Sequence, residues 1–300
     1  MNIVYFFGAG ASHAIHESIP LMDFLPLFRG RYASQWDKVR GALSDAGFSE
    51  GGGNAIFLPP QTHPFPNLEA LLVAIEDQVA SSDPKIAQAA ELAYLLIKEM
   101  INTSLVDLDR EVVQKLPRTP YDDFAEAIAA QTGHHHRIIS FNYDPWLERA
   151  LQKTKCWQPG SGYMSKNDFG GNLDFVGSSR KTDKVLHRDT ESLVKVLKPH
   201  GSLSWLVTDN PAAAPCVILN SDDPSSGQIT TLEPGESAVQ LNGHKWQPAI
   251  IPPSRFKSIG GDFVYRLYKS IEAELREARG IVIIGWSMPV TDIYMTQRIT

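Results

Sequence analysis

Asn2-Ile-Val-Tyr-Phe-Phe7, running directly into Gly8-Ala-Gly10-Ala-Ser12, opens the chain, and its reading decides the fold. A β-branched and aromatic run that stops at a cluster of small residues reads as strand, tight turn and helix start. This is the opening of a nucleotide-binding α/β fold. Small residues let backbone amides approach a pyrophosphate, and the helix that follows turns its positive end toward the same charge. Taken alone, Gly8 to Ser12 is equally compatible with a turn needed only for close helix packing.

Three later segments repeat the switch from strand to polar loop. Arg137-Ile-Ile-Ser-Phe141 ends at Asn142-Tyr-Asp144, ahead of a helix through Trp146, Leu147 and Leu151. Leu193-Val-Lys-Val-Leu197 ends at Lys198-Pro-His200-Gly-Ser202, with Leu203 to Val207 starting a hairpin. Ile281-Val-Ile-Ile284 is the clearest buried-strand pattern and turns at Gly285-Trp-Ser287-Met-Pro289 toward a final helix near Thr291. Ligands of open parallel sheets bind beyond the carboxyl ends of the strands, so these four loops are expected to meet at one site.

Between the first two strands the apolar residues take helical spacing: Leu68, Leu71, Leu72 and Ile75, then Ile86, Ala90, Ala93, Leu96 and Ile97. A helix over Trp36 to Leu43 precedes them, Asn67 reads as a helix cap, and Gly51 to Gly53 with Pro59-Pro60 reads as mobile loop. The excursions 155–192 and 208–245 are rich in Gly, Ser, Asn and Asp and are expected to be irregular or lid-like. Ala249 to Ile251 reads as a short strand closed by Pro252-Pro253, and Asp262 to Arg279 as an amphipathic helix stopped by Gly280. The expected architecture is one α/β domain over residues 1–300, a Rossmann-like parallel sheet with helices on both faces, a helical insertion over about 34–132 and no zinc module. Thr300 carries no helix-ending signal, so a further C-terminal domain is expected.

Composition narrows the function classes. Hydrophobic residues at 43% and charged residues at 21% fit a globular chain, and a net charge of -6 argues against a broad nucleic-acid face. Cys156 and Cys216 are the two cysteines, too few for a disulfide framework or a four-cysteine zinc site. The apolar runs fall far short of the roughly 20 residues of a membrane span. No basic segment with a longer apolar stretch opens the chain, so no signal peptide is read and the cytoplasm is the expected location.

In order, Gly-Ala-Gly-Ala-Ser (8–12), Ile-Pro (19–20), Asn-Tyr-Asp (142–144), His-Gly-Ser (200–202) and Gly-Trp-Ser-x-Pro (285–289) resemble the sirtuin family over nearly the whole chain. The resemblance implies that Gly8, Ala9, Gly10, Ala11 and Ser12 hold the pyrophosphate of NAD, and Gly285 and Ser287 its adenosine half. Asn142 and His200 would flank the nicotinamide ribose. Two departures stand out. The paired Cys-x-x-Cys motifs of protein-deacylating sirtuins are missing, and Ile19-Pro-Leu-Met-Asp23-Phe lacks the family's Ile-Pro-Asp-Phe-Arg run, which makes Asp23 a displaced equivalent. His200-Gly-Ser-x-x-Trp205 and Ile284-Gly-Trp-Ser-Met-Pro-x-x-Asp292 look closer to the zinc-free sirtuin-like domains of bacterial antiviral defence proteins, which hydrolyse NAD. That likeness implies an NAD glycohydrolase used in antiphage defence, without a metal. Homo-oligomer assembly, a regulatory partner or a C-terminal sensor would restrain it. A zinc-free deacylase or ADP-ribosyl transferase, and a non-catalytic NAD or ADP-ribose sensor, remain the alternatives.

The residue types suit the chemistry. Nicotinamide leaves a cationic pyridinium as a neutral ring and needs no acid, whereas the ribose centre gains from fixed dipoles and a base-activated water. Asn142 would orient the ribose or water, and His200 would be the base. Asp144 belongs with the binding loop and would fix it by accepting backbone hydrogen bonds. Each has a plainer reading: Asn142 as a cap for the helix that follows it, His200 as a turn histidine. His134 to His136 read as solvated loop rather than as a metal site, and Trp205 and Trp286 as core.

Overall fold

The computed structural model describes residues 1–17, 24–50, 56–57, 68–163, 174–180, 182–184, 194–208, 215–223, 227–233, 236–251 and 261–287. Strand β1 (Asn2–Phe7) leads through the short helix α1 (Ala9–His13) into a long insertion. The insertion holds α2 (Leu25–Gly30), α3 (Ala33–Asp45), the hairpin β2 (Ser49–Glu50) and β3 (Ile56–Phe57), α4 (Leu68–Val79), α5 (Pro84–Lys115) and α6 (Pro120–Ala129). Then come β4 (His135–Ser140), α7 (Trp146–Lys153), α8 (Pro159–Gly162), β5 (Asp174–Val176), β6 (Thr182–Lys184), β7 (Val194–Leu197) and β8 (Gly201–Thr208). The described chain closes with β9 (Cys216–Ile218), β10 (Val239–Leu241), β11 (His244–Ile250), α9 (Gly261–Glu277) and β12 (Gly280–Ile284).

The four strands β12, β1, β4 and β7 pair in that order, all parallel. Counting these strands along the chain, the third, second, first and fourth lie side by side, which is a Rossmann-like order with its topological switch between β1 and β12. Helices cover both faces. Tyr5 and Phe7 meet Phe124 of α6 edge-on, while Arg137, in register with Val4 on the opposite face, pairs with Glu274 of α9 at 2.7 Å. Val4, Phe6, Ile138 and Ile139 have no exposed surface, as near-continuous apolar runs in a two-sided sheet require.

The insertion builds its own core. Phe28, Trp36, Val39 and Leu43 from α2 and α3 pack with Leu71, Leu72 and Ile75 of α4 and with Ala93 and Ile97 of α5. Asp83 caps the 32-residue α5 by accepting from the Lys85 amide at 2.9 Å.

Several expectations need correction. The two excursions contribute β5, β6, β9 and β10 to a six-stranded mixed sheet in the order β10-β11-β8-β9-β5-β6. Strands of three residues such as β5, β9 and β10 are too short to show a period, and pairing with neighbouring strands and packing against Leu206 and Trp246 stabilise them. Ala249 to Ile250 closes β11 in this second sheet, and Gly280 begins β12 instead of ending α9. Ile281, Val282 and Ile283 are 43%, 41% and 40% exposed, and β12 lies at an edge of the described parallel sheet. His135 and His136 open β4, and His136 is buried with its Nδ1 3.3 Å from the Tyr5 hydroxyl. Asp23, the Asn67 cap, the loop residues Gly51 to Gly53 and Pro59-Pro60, Pro252-Pro253 and the helix near Thr291 lie outside the described residues.

Candidate functional site

Every parallel strand delivers its polar loop to the same edge of the sheet. At the switch point the Gly8 amide donates to the Ile284 carbonyl at 3.0 Å, and the Gly10 amide to the Gly285 carbonyl at 2.9 Å. Gly285 has φ +63°, and a β-carbon there would stand 2.1 Å from the Ala11 nitrogen, so only glycine lets β12 approach this closely. The Ala11 amide turns back to the Gly8 carbonyl at 2.9 Å. Three amides of the expected pyrophosphate loop are thus committed within the protein, and the helix that follows, α1, spans five residues. Ala9, Ala11, Gly285 and Ser287 keep some surface, whereas Ser12 is buried.

Ser12 faces inward to a polar knot. Its hydroxyl donates to Asp144 Oδ2 at 2.7 Å and lies 2.8 Å from Asn142 Nδ2 and 3.0 Å from the Tyr121 hydroxyl. A serine has one proton and two lone pairs. With the proton on Asp144, both Asn142 and Tyr121 must donate to Ser12. Asn142 Nδ2 also donates to the Gly8 carbonyl at 3.0 Å, a contact that fixes which end of the amide is nitrogen. The amide thereby ties the β4 loop to the glycine loop 134 residues away, and its Oδ1 is the atom left to address a ligand. The capping role fails: α7 is preceded by Pro145 without a side-chain cap, and Asp144 Oδ1 accepts a long bond of 3.4 Å from the Trp146 amide.

Asp144 is buried, and its burial raises its pKa to about 6, against the pull of the Lys198 ammonium and the Ser12 hydrogen bond; Glu148 nearby adds to the rise. Burial also pushes the Tyr121 hydroxyl well above its usual range, with the Asp144 charge acting the same way. Tyr121 therefore stays a neutral donor.

His200 sits where the two sheets join. β7 ends at Leu197 and β8 begins at Gly201, and the His200 carbonyl accepts from the Ile251 amide at 2.9 Å beside the mixed sheet. Its ring stands edge-on to Phe141 at 5.1 Å, and Phe141 stacks on Trp286 at 4.6 Å, which stacks in turn on Phe6 at 5.2 Å. One aromatic row therefore runs from His200 to the Gly285 loop. Asn142 and His200 keep 6% and 5% of their surface, so both are nearly enclosed. Trp205 is core, edge-on to Tyr163 at 4.9 Å.

The sequence reading missed Tyr121, Glu148 and Lys198. Lys198 had a signal, as a charge flanked by a buried strand and Pro199-His200, and Glu148 falls on the buried side of α7 with Asp144 and Leu151 at helical spacing. Nothing local marks Tyr121, whose partner is 109 residues away.

A separate hollow of about 520 Å³ lies among α5, α6, α7 and the 220–233 segment. Its Asp109, Asp122 and Glu233 are matched by Arg149, Lys153 and Arg110. Among the described residues no three His, Cys, Asp or Glu side chains gather as a metal site, and no helix is long and apolar enough to cross a membrane. No protein-family model matches the chain, and no curated protein matches it.

Proposed function

We propose that the protein is an NAD glycohydrolase that releases nicotinamide and ADP-ribose. The observation that carries this reading is the meeting of the Gly8–Ser12 loop, Asn142, Asp144 and His200 at the carboxyl edge of one parallel sheet, with the Asn142 amide held by the Gly8 carbonyl and the Ser12 hydroxyl. The motif order that resembles zinc-free sirtuin-like NAD hydrolases supports it.

In this reading the Gly8–Ser12 and Gly285–Ser287 loops bind the dinucleotide and turn its nicotinamide ribose toward Asn142 and His200. Asn142 Oδ1 accepts from a ribose hydroxyl or from the attacking water. His200 takes the proton of that water as its oxygen bonds to the ribose carbon. The carbon–nitrogen bond breaks, and its electron pair neutralises the departing pyridinium. Fixed dipoles around the cationic centre supply the largest part of the rate gain. The biological setting implied by the same resemblance is cytoplasmic NAD depletion during antiphage defence, restrained by oligomer assembly, a partner or a C-terminal sensor.

The test is nicotinamide release from NAD by wild type, Asn142→Ala and His200→Ala side by side. Release by wild type that falls by about 100-fold or more in both variants is expected, a size typical of a lost general base or fixed dipole. Undiminished release by Asn142→Ala would refute the assignment. One observation favours a second reading, a non-catalytic ADP-ribose sensor: both Asn142 N–H groups are already committed inside the protein, which leaves them unable to act on the reacting ribose. Tight ADP-ribose binding without NAD loss in wild type is the outcome that selects it.

A further inference from the structure

A lysine is almost never fully buried unless its charge is paired, yet Lys198 has no exposed surface. Its Nζ donates to the Asp144 carbonyl at 2.7 Å and to Glu148 Oε1 at 2.7 Å, and Glu148 is as completely buried. The Tyr163 hydroxyl donates to the same Glu148 oxygen at 3.2 Å, while Glu148 Oε2 has no hydrogen-bond partner. Stability does not explain this arrangement, because apolar residues of similar volume in place of a buried ion pair are often neutral or stabilising.

The ends of the bonds supply the explanation. Lys198 stands two residues before His200, and the carbonyl it grips belongs to Asp144, two residues after Asn142. We propose that Lys198 is a positioning residue, a buried strut that locks the loop carrying His200 to the loop carrying Asn142 and so fixes the spacing of the two groups. The consequence for turnover rests on the NAD glycohydrolase reading; the strut itself does not.

Two further contacts make the same junction. The Leu203 amide donates to the Tyr143 carbonyl at 2.9 Å, and the Gly201 amide closes a turn on the Lys198 carbonyl at 2.9 Å. A charge at position 198 also acts on the knot. The groups facing the Asp144 carboxylate are Ser12 from α1, Tyr121 from α6, Glu148 from α7 and Lys198 after β7. Among them Lys198 is the cation, and it favours the ionised carboxylate to which Ser12 donates. Removing it leaves Asp144 protonated over a wider pH range, which frees Ser12 and loosens its hold on Asn142.

The test uses the double variant Lys198→Met/Glu148→Met, which removes both charges and keeps side-chain length, with Lys198→Met alone as its companion. The double variant is expected to fold with a melting temperature close to wild type. Nicotinamide release should lose about 100-fold in kcat, the scale of an ångström misplacement, with KM little changed. The acidic limb of its pH profile should move to higher pH, and further in Lys198→Met alone, which keeps the Glu148 charge that raises Asp144. Hydrogen exchange should show the amides of residues 142–146 and 200–203 losing protection together. A folded double variant with wild-type kcat and pH profile, or with both loops as protected as before, overturns the strut. If wild type releases no nicotinamide the glycohydrolase reading falls, and the exchange measurement still decides the strut by itself.

Discussion

Ser12 has no spare hydrogen-bonding capacity: its proton goes to Asp144, and its lone pairs receive Asn142 and Tyr121. Ser12→Ala leaves a buried carboxylate oxygen and a buried amide short of a partner, so it should cost about 1–3 kcal/mol in urea unfolding. Tyr121→Phe removes one donor to Ser12 and should cost about 1 kcal/mol in the same measurement. Asp144 gives a pH signature. Its pKa rises from 3.8 in the unfolded chain to about 6, so between these values the folded protein binds more protons than the unfolded one. The contribution of this group to stability is therefore fully present below pH 3.8 and is lost as pH rises through about 6. Urea midpoints across that range should fall more steeply with pH in wild type than in Asp144→Asn; equal slopes would contradict the buried carboxylate.

Strands and helices set how far each such change spreads. Ile138 in the central β4 has no exposed surface, whereas Val282 in the edge strand β12 is 41% exposed. Ile138→Ala should cost about 2–5 kcal/mol. Val282→Ala should cost under about 1 kcal/mol, since two-fifths of its surface still faces water and the methyl groups removed are only partly buried. Denaturant titration of the pair reads the difference directly. On α6 the capping box joins Thr119 and Asp122, with Asp122 Oδ2 accepting from the Thr119 amide at 2.7 Å, and it brackets Tyr121. Thr119→Ala should cost about 1 kcal/mol and, under the proposed glycohydrolase reading, lower nicotinamide release, because fraying the first turn moves the hydroxyl that supports Ser12 and Asn142.

Across the whole molecule the two sheets share a seam at His200. Gly201 has φ +80°, and a β-carbon there would stand 1.6 Å from the Ala249 carbonyl oxygen, so the crossing from β7 to β8 needs glycine. The cysteines report on the second sheet. Cys216 on β9 is 1% exposed and burial pushes its thiol up to about 12, whereas Cys156 is partly exposed. A thiol-reactive probe should label Cys156 alone in the folded protein, and Cys216 only where denaturant opens the mixed sheet. Fast native labelling of Cys216 would mean that this sheet opens independently.

The sequence by itself determined the four parallel strands, the loops at their carboxyl ends and, within the insertion, the helices α3, α4 and α5. Their signals are local: an apolar run ending at Gly8, Asn142, His200 or Gly285, or helical spacing sustained as in Leu68 to Ile75. Tertiary structure alone decided the rest. The mixed sheet is assembled from strands such as β5 and β9, which carry no period of their own and persist through pairing with distant chain. Tertiary structure also placed β12 at an edge of the described parallel sheet, since its apolar run reads the same at the centre of a sheet. The knot and the strut join Ser12 to Asp144 across 132 residues and Lys198 to Glu148 across 50. Hydrogen-bond partners at that separation leave no trace in local composition, because only the folded chain brings them within reach.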